Sequence, residues 1–132
     1  MPPLPIPPEI DAFLRRPNPA VVASLRPDGS PHTVATWYLW DGERLLLNMD
    51  ESRARLGFIR RDPRVSLTVL DAESWYRQVT LLGRVAELVD DDELTDIDRL
   101  SRHYGGEPFR DRESSRVSAW VEVESWHLWP PA

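Results

Sequence analysis

The chain has 132 residues with sixteen arginines, no lysine and no cysteine, and its formal net charge is −6. This length suits one domain, and the lack of cysteine excludes disulfides, thiolate metal sites and thiol nucleophiles. The acidic balance argues against nucleic-acid binding, and no apolar run approaches the roughly 20 residues that span a bilayer, so we expect a soluble cytoplasmic protein without a membrane or nucleic-acid partner.

The N-terminus is rich in proline and lacks the charged start and apolar core of a signal peptide. This composition predicts an extended arm over residues 1–8, followed by a single domain over residues 9–132.

Hydrophobic periodicity and turn residues predict the elements of this domain. In chain order they are a helix at 9–16, strands at 20–25, 32–40 and 44–49, a helix at 53–61, strands at 64–70 and 76–88, a helix that begins at 90–93 and ends before Gly105-Gly106, and a strand at 117–126. Tight turns at 26–31 and at Asp41-Gly42 join the first three strands into a predicted antiparallel meander. Ser52 is the predicted N-cap of the second helix, and Gly83 marks a predicted bulge or bend in the strand at 76–88. Six strands with short helices favour a small antiparallel β-barrel.

Most motifs of catalytic chemistry are missing from the sequence. The three histidines, at 32, 103 and 127, are far apart and have no partner at metal-ligand spacing, so no metal site is predicted. No glycine-rich phosphate loop and no nucleophile elbow occurs, and no catalytic side chain is predicted.

The arginine distribution is more informative than the arginine content. Residues 52–70 hold five arginines and one acidic residue, and Arg53 and Arg55 lie at the start of a predicted helix. Free backbone N–H groups and the helix dipole attract anions at that position, and arginine binds phosphate or carboxylate bidentately. The cluster therefore indicates either an anion site or a solvated helix face that pairs with acids elsewhere.

Six tryptophans are present. They suit a core or a subunit interface, and also the walls of a site for a flat aromatic cofactor. A phosphate-binding helix start beside aromatic strands is the chemistry of a flavin-type nucleotide site.

Two segments carry a family resemblance. Residues 53–55, Arg-Ala-Arg, and residues 59–67, Ile-Arg-Arg-Asp-Pro-Arg-Val-Ser-Leu, resemble the signature of the flavin and deazaflavin oxidoreductases, relatives of pyridoxamine 5′-phosphate oxidase. The similarity covers roughly residues 9–126 and is greatest to the branch that uses the deazaflavin F420. It implies a mainly β fold, a six-stranded antiparallel split β-barrel like that of FMN-binding proteins, and an oxidoreductase that transfers hydride to a small conjugated or aromatic substrate.

The resemblance also implies a cofactor site. Ser52, Arg53 and Arg55 would hold the cofactor phosphate, and Arg60 and Arg61 would steady that phosphate or a polyglutamate tail. The ring of the cofactor would lie beside four residues, Thr36, Trp37, Asn48 and Met49.

The resemblance also implies a homodimer with cofactor sites at the subunit interface, so Trp75 and Tyr76 are expected to approach from the partner subunit. The sequence departs from the family pattern at Arg55, where many members carry lysine, and at Phe58, where a small or polar residue is common. Phe58 either removes a cofactor hydrogen bond or fills the core. An FMN-dependent enzyme and a non-catalytic flavin or small-molecule binding protein therefore stay as alternatives.

Overall fold

The computed structural model describes residues 4–131, so residues 1–3 of the predicted arm and residue 132 lie outside the described part. The described chain forms three short helices and seven strands. They are α1 (Pro8–Leu14), β1 (Ala20–Leu25), β2 (Pro31–Thr36), β3 (Leu39–Trp40), β4 (Arg44–Asp50), α2 (Ala54–Arg61), β5 (Arg64–Leu70), β6 (Gln78–Asp90), α3 (Thr95–Gly105) and β7 (Arg116–Trp129). The predicted mainly β class is confirmed. None of the described helices has the length and apolar character needed to cross a membrane.

The strands form one antiparallel sheet in the order β2-β1-β5-β6-β7-β4-β3. Strands β2 and β3 are the two edges, yet only residues 37 and 38 separate them in the chain. Because two residues span only a few ångströms, the sheet curls until its edges come together at one end. No ladder joins these edges among the described strands, so the barrel is split, and the predicted count of six strands is wrong.

The extra strand arises because the predicted strand 32–40 is interrupted at Trp37 and Tyr38. The Tyr38 N–H donates to the hydroxyl of Tyr104 instead of to a neighbouring strand, at 3.3 Å. Tyr38 is fully buried, and its own hydroxyl donates to the Arg16 carbonyl at 3.2 Å. The predicted meander is therefore wrong, because the two halves of this segment pair with β1 and β4 at opposite edges of the sheet.

Several predicted boundaries also shift. Helix α3 begins at Thr95 instead of residues 90–93, because Asp90 still pairs with Val117 in the sheet. Strand β6 begins at Gln78 instead of residue 76, since residues 71–77 form a turn in which Asp71 N–H donates to the Arg77 carbonyl. Strand β7 runs three residues beyond its predicted end, and helix α1 ends two residues before its predicted end.

Glycines occupy the turns and the bulge that the sequence indicates. Gly29 and Gly42 adopt φ of 87° and 94°, a left-handed region that costs glycine little. At Gly83 the pairing of β6 with β7 shifts register, and a Cβ there would meet the Glu122 carbonyl oxygen. The predicted bulge is confirmed, and close backbone approach is its physical reason.

Strand β4 lies between two packed layers, which explains its run of five buried residues. Its Leu45, Leu47 and Met49 belong to the main core, whereas Leu46 on the opposite face packs with Ile97 and Leu100 of α3. Helix α3 therefore covers one end of the sheet from the face that also carries Asn48.

Candidate functional site

A cavity of about 560 Å³ lies where α3, the start of α2, β4 and the β2–β3 connection meet. Its lining is mostly apolar and includes three arginines. The lining residues are Pro17, Pro19, Ala20, Val34, Ala35, Thr36, Trp37, Asn48, Met49, Arg53, Arg55, Ile97, Leu100, Tyr104, Phe109 and Arg116. A concave apolar site of this size with a few convergent polar groups is typical of cofactor and small-molecule binding.

Two of these arginines come from the beginning of α2. Arg53 is the N-cap residue, with extended backbone and no side-chain capping bond, and Arg55 lies in the first turn. The first turn of this helix contains no acidic residue. A helix start that presents guanidinium groups instead of carboxylates is unfavourable by itself and favourable when an anion binds there.

The guanidinium of Arg55 is only partly satisfied by the protein. Its Nη2 donates to the Asn48 carbonyl at 3.4 Å, whereas its buried Nε has no hydrogen-bond partner within the described residues. Burial lowers the pKa of Arg55, and the like charges of Arg53 and Arg116 lower it further. A buried donor without an acceptor is costly, so the arrangement suits a ligand that brings anionic oxygens.

The third arginine, Arg116, is fixed from behind. Its Nε donates to Asn48 Oδ1 at 2.8 Å, and its guanidinium lies 4.6 Å from the centre of the Phe109 ring. The Asn48 amide nitrogen in turn donates to Asp91 Oδ2 and to Ser118 Oγ, each at 3.1 Å. A chain of buried hydrogen bonds thus sets the direction of this side chain.

The same network anchors α3. Asp91 accepts from the backbone N–H groups of Asp96 and Ile97 at the start of the helix, at 3.1 and 2.9 Å. Ser118 Oγ donates to Asp96 Oδ2 at 2.7 Å. The two bonds to Asp91 satisfy N–H groups that a helix start leaves free, and all three bonds hold the helix against the cavity.

An aromatic wall lines part of the cavity. The indole of Trp37 stacks on Tyr104 and meets the edge of Phe109 at a centroid distance of 6.1 Å. The Tyr104 hydroxyl donates to the Asn18 carbonyl at 2.6 Å, which fixes the ring. Flat, rigid faces of this kind suit a planar conjugated ligand.

The structure brings six of the eleven predicted site residues to this cavity. They are Thr36, Trp37, Asn48, Met49, Arg53 and Arg55. The other five lie outside its described lining. They are Ser52, Arg60, Arg61, Trp75 and Tyr76.

Ser52 is not the helix N-cap, so that prediction is wrong. It lies in an exposed turn, and its backbone N–H donates to Asp50 Oδ1 at 2.8 Å, while Arg53 takes the N-cap position. An aspartate two residues earlier offers the turn a competing acceptor, which moves the helix start by one residue.

Arg60 and Arg61 are exposed on the last turn of α2, where a positive charge complements the helix dipole. Trp75 and Tyr76 are 75% and 64% exposed on the β5–β6 turn. That turn lies at the cavity end of the sheet, because the neighbouring Leu70 N–H bonds the Pro19 carbonyl.

Phe58 is half-buried and lies away from the described lining of the cavity. Its ring meets the ring of His32 edge-on at 5.4 Å, so it joins α2 to β2. Phe58 belongs to neither described core cluster, so its packing is this local contact between the helix and the strand.

Ten of the sixteen lining residues were not predicted as site residues, and three of these ten are aromatic or charged: Tyr104, Phe109 and Arg116. Tyr104 was not predicted because its spacing is that of an ordinary residue on the apolar face of a helix. Phe109 was not predicted because it lies in a loop that has no periodic pattern. Arg116 reaches the site because β7 pairs with β4, with Arg116 opposite Asp50. Arg116 could have been predicted as a site residue only if the pairing register of these two strands, which are far apart in sequence, had been known.

Comparisons with known proteins agree on one family. The sequence model of the family described as pyridoxamine 5′-phosphate oxidase matches residues 6–130. A solved structure described as an F420 reductase is 30% identical, with a TM-score of 0.84 over 92% of this chain and 98% of its own. No curated protein matches the chain.

Two further solved structures extend the likeness. A conserved hypothetical protein of Mycobacterium tuberculosis is 25% identical, with a TM-score of 0.73 over 96% of this chain and 86% of its own. General stress protein 26 of Bacillus anthracis shares the fold at 15% identity, with a TM-score of 0.71 over 94% and 93% of the two chains.

Proposed function

Because the chain belongs to the pyridoxamine 5′-phosphate oxidase family of flavin-type oxidoreductases, we propose that it is an oxidoreductase that uses F420. Its substrate is a small conjugated or aromatic compound that accepts hydride. The cofactor phosphate binds at the arginine-bearing start of α2. The 30% identity to a protein described as an F420 reductase supports F420 over other flavin-type cofactors.

The observation that carries this proposal is the unsatisfied guanidinium of Arg55. Its Nε is buried without an acceptor in the described residues, beside Arg53 at the same helix start. Anionic oxygens of a phosphate would supply that acceptor and neutralise two like charges. The residues present therefore fit a phosphate-bearing cofactor.

The protein supplies binding and orientation. Arg53 and Arg55 would hold the phosphate, and the Trp37–Tyr104 wall with Met49 would confine a flat ring in an apolar cavity that excludes water. When bound, the cofactor supplies the hydride. The Asn48 carbonyl helps to keep Arg55 in place through the 3.4 Å hydrogen bond.

An FMN-dependent enzyme is the second candidate, and the match to the pyridoxamine 5′-phosphate oxidase family supports it. FMN also combines a planar ring with a phosphate, so the arginines and the aromatic wall suit it equally. A non-catalytic binding protein stays as the third candidate, although Phe58 gives it less support, because this residue packs against His32 instead of facing the cavity.

Titration of the purified protein with F420 and with FMN tests the proposal. We expect saturable quenching of F420 fluorescence, and tighter binding of F420 than of FMN. Tighter binding of FMN would favour the second candidate, and binding without turnover on a panel of enones and quinones would favour the third. Absence of saturable binding for both cofactors would refute the proposed function.

The homodimer predicted for this family is also part of the proposal. Two rows of cross-strand neighbours face outward on β2, β1, β5 and β6 and carry no charge: Thr33, Ala23, Ser66 and Leu82 in one row, and Ala35, Val21, Thr68 and Thr80 in the other. Such a face on an acidic protein with 29% charged residues suits contact with a second copy of the chain.

The position of this face supports a shared site. Ala35 belongs to the second row and also lines the cavity, so a second copy on the uncharged face would reach the cavity rim. The exposed Trp75 and Tyr76 lie at the same end of the sheet. They would then approach the cofactor of the partner subunit.

A further inference from the structure

Arg116 lines the same cavity as Arg53 and Arg55, but it comes from a different part of the fold. It is the first residue of β7 and lies beside Asn48 of β4, whereas Arg53 and Arg55 come from α2. Nothing in the sequence pattern or in the family signature points to it. It is nevertheless one of three guanidinium groups on a single cavity.

The geometry of Arg116 is that of a positioned ligand-binding group. Its Nε is engaged with Asn48 Oδ1, and its flat face rests on Phe109. Its terminal nitrogens make no hydrogen bond and no ion pair with the rest of the described chain. A guanidinium that is anchored through Nε and the ring face presents its terminal N–H groups as a fork for one oxyanion.

Asn48 explains how the fork is aimed. Its amide nitrogen is used by Asp91 and Ser118, so the amide cannot flip without losing both bonds. Its oxygen therefore stays directed at Arg116. Asn48 is 94% buried, and its side chain makes its hydrogen bonds within this network.

The charge of the cavity is not balanced by its own lining. Three guanidinium groups line it, and no carboxylate occurs among the described lining residues. Asp50 and Asp111 act on Arg116 from outside the lining, and their charges only partly oppose the effect of burial, which lowers the pKa of Arg116. A ligand with more than one negative charge would restore the balance.

We propose that Arg116, positioned by Asn48, is a third anion-binding residue of this cavity and binds a phosphate or carboxylate oxygen of the ligand. This proposal rests on the proposed function, because it takes that ligand to be a flavin-type cofactor or its substrate. The oxyanion belongs either to the cofactor, as phosphate, or to the substrate, as carboxylate.

The test compares ligands that differ in the oxyanion. We would titrate the full chain and its Arg116→Ala variant with F420 and with the phosphate-free deazaflavin alcohol, with FMN and riboflavin, and with benzoate in the presence of cofactor. Arg110→Ala is the matched control, because Arg110 is exposed and lies outside the described cavity lining. We expect Arg116→Ala to raise the Kd of the phosphate-bearing cofactor about 10-fold or more and to leave its phosphate-free counterpart within about twofold.

The other outcomes decide between the sources. Weakened binding of benzoate with unchanged cofactor affinity would assign Arg116 to a substrate carboxylate and would support the proposal in that form. Equal behaviour of Arg116→Ala and Arg110→Ala with every ligand would overturn it. If the unmodified protein binds neither cofactor, the proposed function fails. An anion site at Arg116 would still be supported if inorganic phosphate raises the melting temperature of the unmodified protein and Arg116→Ala removes this protection. If phosphate gives no such protection, the anion site is overturned as well.

Two further variants test the positioning role. Arg116→Lys keeps the charge and loses the fork, so we expect a Kd between those of the unmodified protein and Arg116→Ala. Asn48→Ala should weaken the phosphate-bearing ligand more than the phosphate-free one. An equal loss for both ligands would reveal a merely structural residue and overturn the positioning role.

Discussion

Trp37 and Tyr104 stack with their ring centroids 5.4 Å apart and their planes at 11°. One ring comes from the connection between the two edge strands, and the other from the last turns of α3. The stack therefore joins the split of the barrel to the helix that covers the cavity. Because Trp37 is still 37% exposed, one part of this wall remains open to a ligand.

Tyr104→Phe should destabilise the fold without removing the stack. The hydroxyl donates to the Asn18 carbonyl at 2.6 Å and accepts from the Tyr38 N–H at 3.3 Å. Both backbone groups would lose a partner in a partly buried region, so we expect the free energy of unfolding to fall by about 1–3 kcal/mol. Urea denaturation followed by tryptophan fluorescence measures this change. Tyr76→Phe is the control, since Tyr76 is 64% exposed, and should stay within about 0.5 kcal/mol; equal values for the two variants would contradict the structure.

The same hydroxyl predicts a loss of stability in alkali. Burial raises the pKa of Tyr104 to about 12 from the ordinary value of 10. Between pH 10 and 12 the unfolded chain therefore releases a proton that the folded chain retains, which favours unfolding as the pH rises, whereas below pH 10 the two states do not differ at this group. Tyr104→Phe removes this contribution, so its urea midpoint should decline less steeply over that interval. Burial of Tyr38 raises the pKa of that residue as well and acts in both proteins; parallel declines would show that Tyr104 does not contribute.

Arg55→Ala should separate binding from stability. We expect F420 to bind more weakly by about 1.5–3 kcal/mol, the scale of a charged hydrogen bond. The ligand-free protein should lose little stability, because the variant also removes a buried, unsatisfied Nε and the repulsion from Arg53 and Arg116. Fluorescence titration and urea denaturation measure the two quantities. Arg60→Ala, on the exposed face of the same helix, provides the comparison. Both variants would also be titrated with the deazaflavin alcohol, which lacks phosphate and tail. If Arg55→Ala loses as much affinity for this alcohol as for F420, Arg55 acts through the fold.

The sequence predicts the local parts of this protein well. Turn residues, helix stops and alternating strands depend on neighbours in the chain, so the turn at Gly42 and the bulge at Gly83 were predicted. Arg53 and Arg55 were found in the same way, because a helix start can be recognised from a few residues.

The remainder depends on tertiary contacts. Trp37 leaves the sheet because Tyr38 is bonded by the hydroxyl of Tyr104, which lies 66 residues further along the chain. Arg116 reaches Asn48 across 68 residues through the pairing of β7 with β4. Periodicity contains no information on such pairings, so a strand was predicted through the aromatic wall and the third arginine was missed.

Gly83→Ala should be among the most damaging small substitutions. The new Cβ would collide with the Glu122 carbonyl oxygen in the middle of the β6–β7 ladder, and backbone cannot move aside as a flexible side chain can. We expect a loss of about 1–3 kcal/mol in the free energy of unfolding, by analogy with overpacked cores. Gly57→Ala in α2 is the matched control, because its Cβ would meet open space and alanine favours a helix, so a gain of about 0.5–1 kcal/mol is expected. Urea denaturation of both variants checks the opposite signs, and a loss at Gly57 as large as that at Gly83 would refute this explanation.

Ala23→Arg should dissociate the proposed homodimer. Ala23 lies in the middle of the uncharged outer face, between Thr33 and Ser66 on the neighbouring strands. An arginine there would have to lose its hydration at the centre of the contact without a partner charge, which is strongly unfavourable. In sedimentation velocity we expect the unmodified protein to have twice the mass of the chain and the variant to have the mass of one chain. Ala86→Arg, an identical change at an exposed position outside the two rows, should leave the dimer intact. Circular dichroism would verify that both variants fold, and the proposed dimer face would be disproved by a variant that still sediments at the mass of two chains.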